Sequence, residues 1–196
     1  MNSFTLTMRL LLAAATLSLA SLAQAQWTLD AANSTLQFVS VKNSAVGEVH
    51  SFKQLGGSIS AAGEAQVIID LTSVDTLIPI RNERMLEMLF EVAEHPTATV
   101  SVRLGQDTLA SLGGGTVKRM TLPMTLSLHG FERELRVPLE AVQAGGRLHV
   151  YSQGPGMVSA ADFDLLGGVE KLREVAGLNS ISTAVPVNFN LQFSAD

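Results

Sequence analysis

The chain has 196 residues, 13 Lys and Arg against 18 Asp and Glu, a formal net charge of −5, and no Cys. An acidic balance with no basic aromatic stripe disfavours nucleic acid as a partner. Without Cys, no disulfide contributes, and a single domain of this length must be held by its core alone.

Arg9 precedes an apolar run from Leu10 to Leu22, and Ala23-Gln24-Ala25 follows as a small-x-small cleavage site. The run is about 13 residues long, short of the roughly 20 that span a bilayer. The pattern predicts a signal peptide over 1–25 and an exported domain over 26–196.

Strands dominate the remainder. An early strand over Ser34 to Val41 carries Leu36 and Phe38 on one face. Thr72 to Thr76 ends a strand, and Pro79 then suits a first helical position. Met85, Leu86 and Leu89 give that helix an apolar side up to Phe90. Pro96 stops it, and Thr97 to Val100 open a new strand. Met120, Leu122, Met124, Leu126 and Leu128 alternate with polar residues and Pro123, so one face is buried.

Gly130 permits a turn, after which Leu135, Val137 and Leu139 continue the period of two. Gly145-Gly146 signals a tight hairpin before Leu148 and Val150. Val169 to Ala176, with Gly177 as C-cap, predicts a second, weaker helix. Val185, Val187, Phe189, Leu191 and Phe193 form a last strand, for which the early strand is the natural partner if the sheet closes. Pro123, Pro138 and Pro186 lie inside strand patterns, and each predicts a bulge, an edge or a strand end. The spacing is that of an all-β sandwich or barrel, and periodicity does not choose between them.

Three spaced pieces carry a resemblance: Thr72-Ser73-Val74-Asp75-Thr76, Arg81-Asn82-Glu83-Arg84-Met85-Leu86, and Phe90 to Val100 through His95-Pro96. Their order is similar to that of the YceI-like proteins. Further agreement comes from Trp27 to Asp30, Ser34 to Phe38, Gly47 to Phe52, Leu126 to Arg133 and Ser159 to Phe163. The resemblance spans roughly Trp27 to Phe193. The sequence departs from the family pattern at Lys42-Asn43, where a His is usual, at Asn82 in place of Asp, and at Ser159 in place of Arg.

The resemblance implies an eight-stranded antiparallel lipocalin-like barrel with one or two short helices. It implies a periplasmic protein that binds a polyisoprenoid or similar amphiphile, with the helix Pro79 to Phe90 capping or flanking the mouth. Leu36, Phe38, Met120, Leu122, Met124, Leu126, Val137, Val150, Val187 and Phe189 then line the cavity, together with Leu135 and Leu191. The Met residues suit an irregular apolar guest. Arg81 and Arg84, three apart on one helical face, are candidates for an anionic headgroup. The structural alternative ties Arg81 to Asp75 or Glu91.

The expected partner is an isoprenoid or other long-chain lipid; a transient membrane contact and a homodimer are left open. No G-x-S-x-G, H-E-x-x-H or Walker motif occurs. The carboxylates Asp70, Asp75, Glu83, Glu87, Glu91 and Glu94 read as charged helix rims, so no enzyme, cofactor or metal is expected. His50, His95, His129 and His149 are scattered and read as surface or cross-strand residues rather than a metal set, a meeting of His129 and His149 across strands being one option. A dry, solid-cored barrel acting as an envelope or stress interaction module is the alternative function. An enzyme acting on a lipid-like substrate is a third reading.

Overall fold

In the computed structural model, residues 25–112 and 115–196 are described. The expected signal peptide lies outside them except for its last residue. Among the described residues twelve strands form: β1 (Ala25–Leu29), β2 (Thr35–Lys42), β3 (Val46–Phe52), β4 (Leu55–Ser60), β5 (Glu64–Asp70), β6 (Val74–Asp75), β7 (Thr97–Arg103), β8 (Lys118–Leu128), β9 (Phe131–Ala144), β10 (Arg147–Ser152), β11 (Gly156–Ser159) and β12 (Ala184–Ala195). Three α-helices accompany them, besides short 3-10 turns: α1 (Pro79–Arg84), running on into a π-helical turn over Met85–Leu89, α2 (Gln106–Ser111) and α3 (Leu166–Val175).

The strands pair antiparallel in the order β1-β4-β5-β7-β8-β9-β10-β12, and β12 returns to β1, closing an eight-stranded barrel. Closure leaves no exposed edge in the ring. The same β12 pairs β2 nearer its start, through Val187↔Phe38 and Phe189↔Leu36, and β3 and β6 extend the wall beyond. β1 and β2 thus act as one strand broken by a 3-10 turn, which Asp30 caps by accepting from the Asn33 backbone and side-chain N–H groups.

The prolines sit where a neighbouring strand has ended. Pro123 lies beyond the β7 pairing of Thr125 to Ser127, Pro138 beyond the β10 pairing that stops at Leu139, and Pro186 beyond the β2 pairing that starts at Val187. The missing N–H therefore costs no ladder bond on that side.

Side chains alternate as the period requires. On β8 and β9, Met120↔Leu139, Leu122↔Val137 and Met124↔Leu135 face each other inside, while Thr121, Thr125, Glu134 and Arg136 face outward. The polar outer face is the reverse of a barrel built to sit in lipid.

Helix α3 begins at Leu166 rather than Val169 and ends as expected: Leu178 N–H bonds the Arg173 carbonyl, Gly177 N–H bonds the Glu174 carbonyl, and Gly177 has φ +63. It packs on the π turn so closely that a Cβ on Gly168 would stand 2.6 Å from the Met88 carbonyl oxygen. The hairpin joining β9 and β10 turns at Gly145 and Gly146, both at positive φ. α2 has no counterpart among the sequence expectations, because a six-residue helix is too short to show a 3.6 period.

Candidate ligand cavity

The barrel is hollow. Two adjoining lobes of about 150 and 160 Å³ lie inside it. A water needs roughly 10–15 Å³, and an engineered apolar cavity of about 150 Å³ stays dry and takes benzene. Each lobe is therefore large enough for apolar carbon and supplies no partner for water. Leu36, Val100, Val158 and Val187 belong to the walls of both lobes and mark their junction.

All ten apolar candidates face this space. Leu36, Met120, Leu122, Met124, Val137, Val150, Val187 and Phe189 line the first lobe; Phe38 and Leu126 line the second, with Leu36 and Val187 shared. Sequence reasoning missed the opposite wall. Ala65, Val67, Val100 and Val102 complete the first lobe, and Ile69, Ala98, Leu89 and Phe90 the second. On β5 and β7 the signal was present, since Ala65, Val67 and Ile69 pair with Val102, Val100 and Ala98 at the same period of two. Phe90 had none: the π turn, closed by Phe90 N–H to the Met85 carbonyl at 2.9 Å, rotates it inward.

The two arginines do not converge. Arg81 donates to Glu48 at 2.7 Å and to the Thr76 carbonyl at 2.6 Å. Its carboxylate partner is thus Glu48, not Asp75 or Glu91. Arg84 lies on the surface, 3.4 Å from the Val175 carbonyl, and neither arginine lines a lobe. Asn82 takes the place expected for an Asp and uses its Oδ1 to accept from the Thr76 N–H and hydroxyl at 2.9 and 2.6 Å.

The histidines also differ from expectation. His149 pairs in register with Val142 and Gln192, so it does not meet His129. His129 stands instead beside His95, with ring centroids 4.4 Å apart. Its Nδ1 donates to the Phe163 carbonyl at 3.2 Å, and its Nε2 lies 3.4 Å from Glu91.

His50 is buried on β3, with Nε2 2.8 Å from the Ser40 hydroxyl. Burial, and next the Arg81 charge, hold its pKa below 6.5; Lys42 acts in the same sense, while Glu48 and Asp75 oppose. A lowered pKa in the fold means that the unfolded chain binds the proton first. Stability is full above about pH 6.5 and falls as the pH drops from there through the folded-state value. Urea unfolding across this range is expected to show that slope, and His50→Gln is expected to remove it just below pH 6.5.

These features define a class: a closed antiparallel barrel of lipocalin-like shape, apolar and hollow inside, polar outside. The YceI-like domain is matched over residues 27–193, and the chain belongs to that family. A polyisoprenoid-binding domain from Saccharophagus degradans, implicated in plant cell wall breakdown, is 42% identical, with a TM-score of 0.85 over 88% of this chain and 100% of that one. Burkholderia cenocepacia BcnA shares the fold at 20% identity, with a TM-score of 0.65 over 84% of this chain and 98% of its own. The Campylobacter jejuni YceI protein does so at 14% identity, with a TM-score of 0.54 over 73% of this chain and 82% of its own. Comparison with curated proteins finds no match.

Proposed function

We propose that the protein is an exported, periplasmic binding protein that holds a polyisoprenoid or similar long-chain amphiphile in the barrel, and that it catalyses no reaction on it. The observation that carries this reading is the pair of carbon-lined lobes joined at Leu36, Val100, Val158 and Val187. Kinship with a domain described as polyisoprenoid-binding supports it. The ten inward apolar residues hold the tail, and Leu89 and Phe90 bring the α1 segment to its side. The hollow interior favours this over a solid-cored interaction module.

The energetics are sufficient. Each buried CH₂ contributes about 0.8 kcal/mol, so ten give about 8 kcal/mol, on the scale of a micromolar complex before ordering costs. Such burial is blind to chemistry beyond length and shape. The test is native mass spectrometry of lipid extracted from protein purified out of membrane-containing cells. Co-purified prenyl lipid is the expected result. Empty protein that also ignores added prenyl lipids overturns the reading.

A further inference from the structure

We propose that the polar cluster at the β2–β3 end of the barrel binds an acidic headgroup, a phosphate or carboxylate carried on an apolar tail; this rests on the tail-binding reading above. Inward positions on β2 run Leu36, Phe38, Ser40, Lys42, and on β3 they run Phe52, His50, Glu48. The stripe changes from hydrocarbon to polar within one strand. Phe38 and Phe52 line the second lobe, and the His50 ring lies 5.1 Å from Phe38. The polar cluster thus adjoins that lobe through Phe38 and Phe52, while its own polar side chains line neither lobe.

Its charge is unbalanced. Lys42 and Arg81 both pair with Glu48, at 2.9 and 2.7 Å, so two cations share one carboxylate. Together they hold the Glu48 carboxyl below the usual range, the Lys42 contact foremost. Lys53 and Asp75 alongside neutralise each other at 2.9 Å. One positive charge remains for a ligand.

Among the described residues, two polar atoms in the cluster are buried without a partner, His50 Nδ1 and Arg81 Nε. His50 is 3% exposed. Where the Ser40 hydroxyl donates to Nε2, the ring proton sits on Nδ1, and both orphaned atoms are donors. Buried donors without acceptors are uncommon and costly. An anionic oxygen group accepts from both and meets the excess charge, with Lys42 as a third donor. A neutral alcohol satisfies fewer of these groups and leaves the charge unmatched.

The experiment compares geranylgeranyl monophosphate, geranylgeranoic acid and geranylgeraniol, which share a tail, by calorimetric titration of the full chain at low salt. Both acids are expected to bind about tenfold tighter than the alcohol. Lys42→Met, which keeps the Arg81–Glu48 pair, and His50→Phe are expected to shrink that advantage to threefold or less. Equal affinity for acid and alcohol overturns the headgroup site and leaves the tail reading standing. Full preference retained in both variants overturns the assignment to this cluster. Failure of all three ligands to bind overturns both readings.

Discussion

Val100→Trp is expected to weaken prenyl-lipid binding at least 100-fold while the barrel stays folded. Val100 lies on β7 at the junction of the two lobes, directly opposite Val67 on one side and Leu126 on the other. An indole there occupies the passage through which a long tail must run. It enters existing empty space, so it does not press on a packed core, where added volume typically costs about 1–3 kcal/mol. A tail confined to one lobe loses several methylenes. At about 0.8 kcal/mol each, four lost methylenes exceed the roughly 2.8 kcal/mol that 100-fold represents. Binding is read by titration with a prenyl alcohol, and folding by circular dichroism and urea denaturation. Val100→Ile, a one-carbon change, is expected to bind within a few-fold of the native chain. Unchanged affinity in the Trp variant would show that the tail does not cross this junction.

Phe163→Ala is expected to remove about 3–5 kcal/mol of stability, the cost of deleting a fully buried aromatic ring. Phe163 is 0% exposed and sits in the 3-10 turn Ala160–Phe163 between β11 and α3. Its carbonyl accepts from His129, and Asp164 beyond it adopts φ +56, so the turn is fixed from two directions. Domains of this kind are stable by only about 5–15 kcal/mol, so the loss is a large share of the whole. The midpoint of urea unfolding reads it. Phe131→Ala, at a ring 39% exposed, is the comparison and is expected to change stability by under about 0.5 kcal/mol. Similar losses in the two variants would mean that the Ala160–Phe163 turn is not part of the cooperative core.

Much of the cavity was legible because an alternating strand declares its buried face residue by residue. Leu36, Phe38, Met120, Leu122 and Met124 were placed by that rule, and Ala65, Val67, Val100 and Val102 obey it equally. The latter were harder to see because small residues such as Ala65 weaken the contrast between faces. Phe90 was beyond any periodic rule, since one π turn shifts the register of a helix without marking the sequence. The Arg81 partner was illegible for a different reason. Glu48 is 33 residues away on β3, nearer acidic residues competed for the role, and only the pairing of β3 with β6 brings that wall beside α1. His129 and His149 show the same limit: both lie on inferred strands, but strand register, not spacing, decides which side chains meet.

The amino-acid sequence alone determined that this is an acidic, Cys-free, strand-rich chain with one greasy face per strand and a short helical interruption around Pro79. Those properties are local, written in period, punctuation and composition. Whether the greasy faces would meet in the middle or enclose a space was decided only by the closed ring. Eight strands fix a circumference, and the side chains that point inward then either fill it or fall short. Here they fall short, with one Trp, one Tyr and many Val, Leu and Met to span the bore.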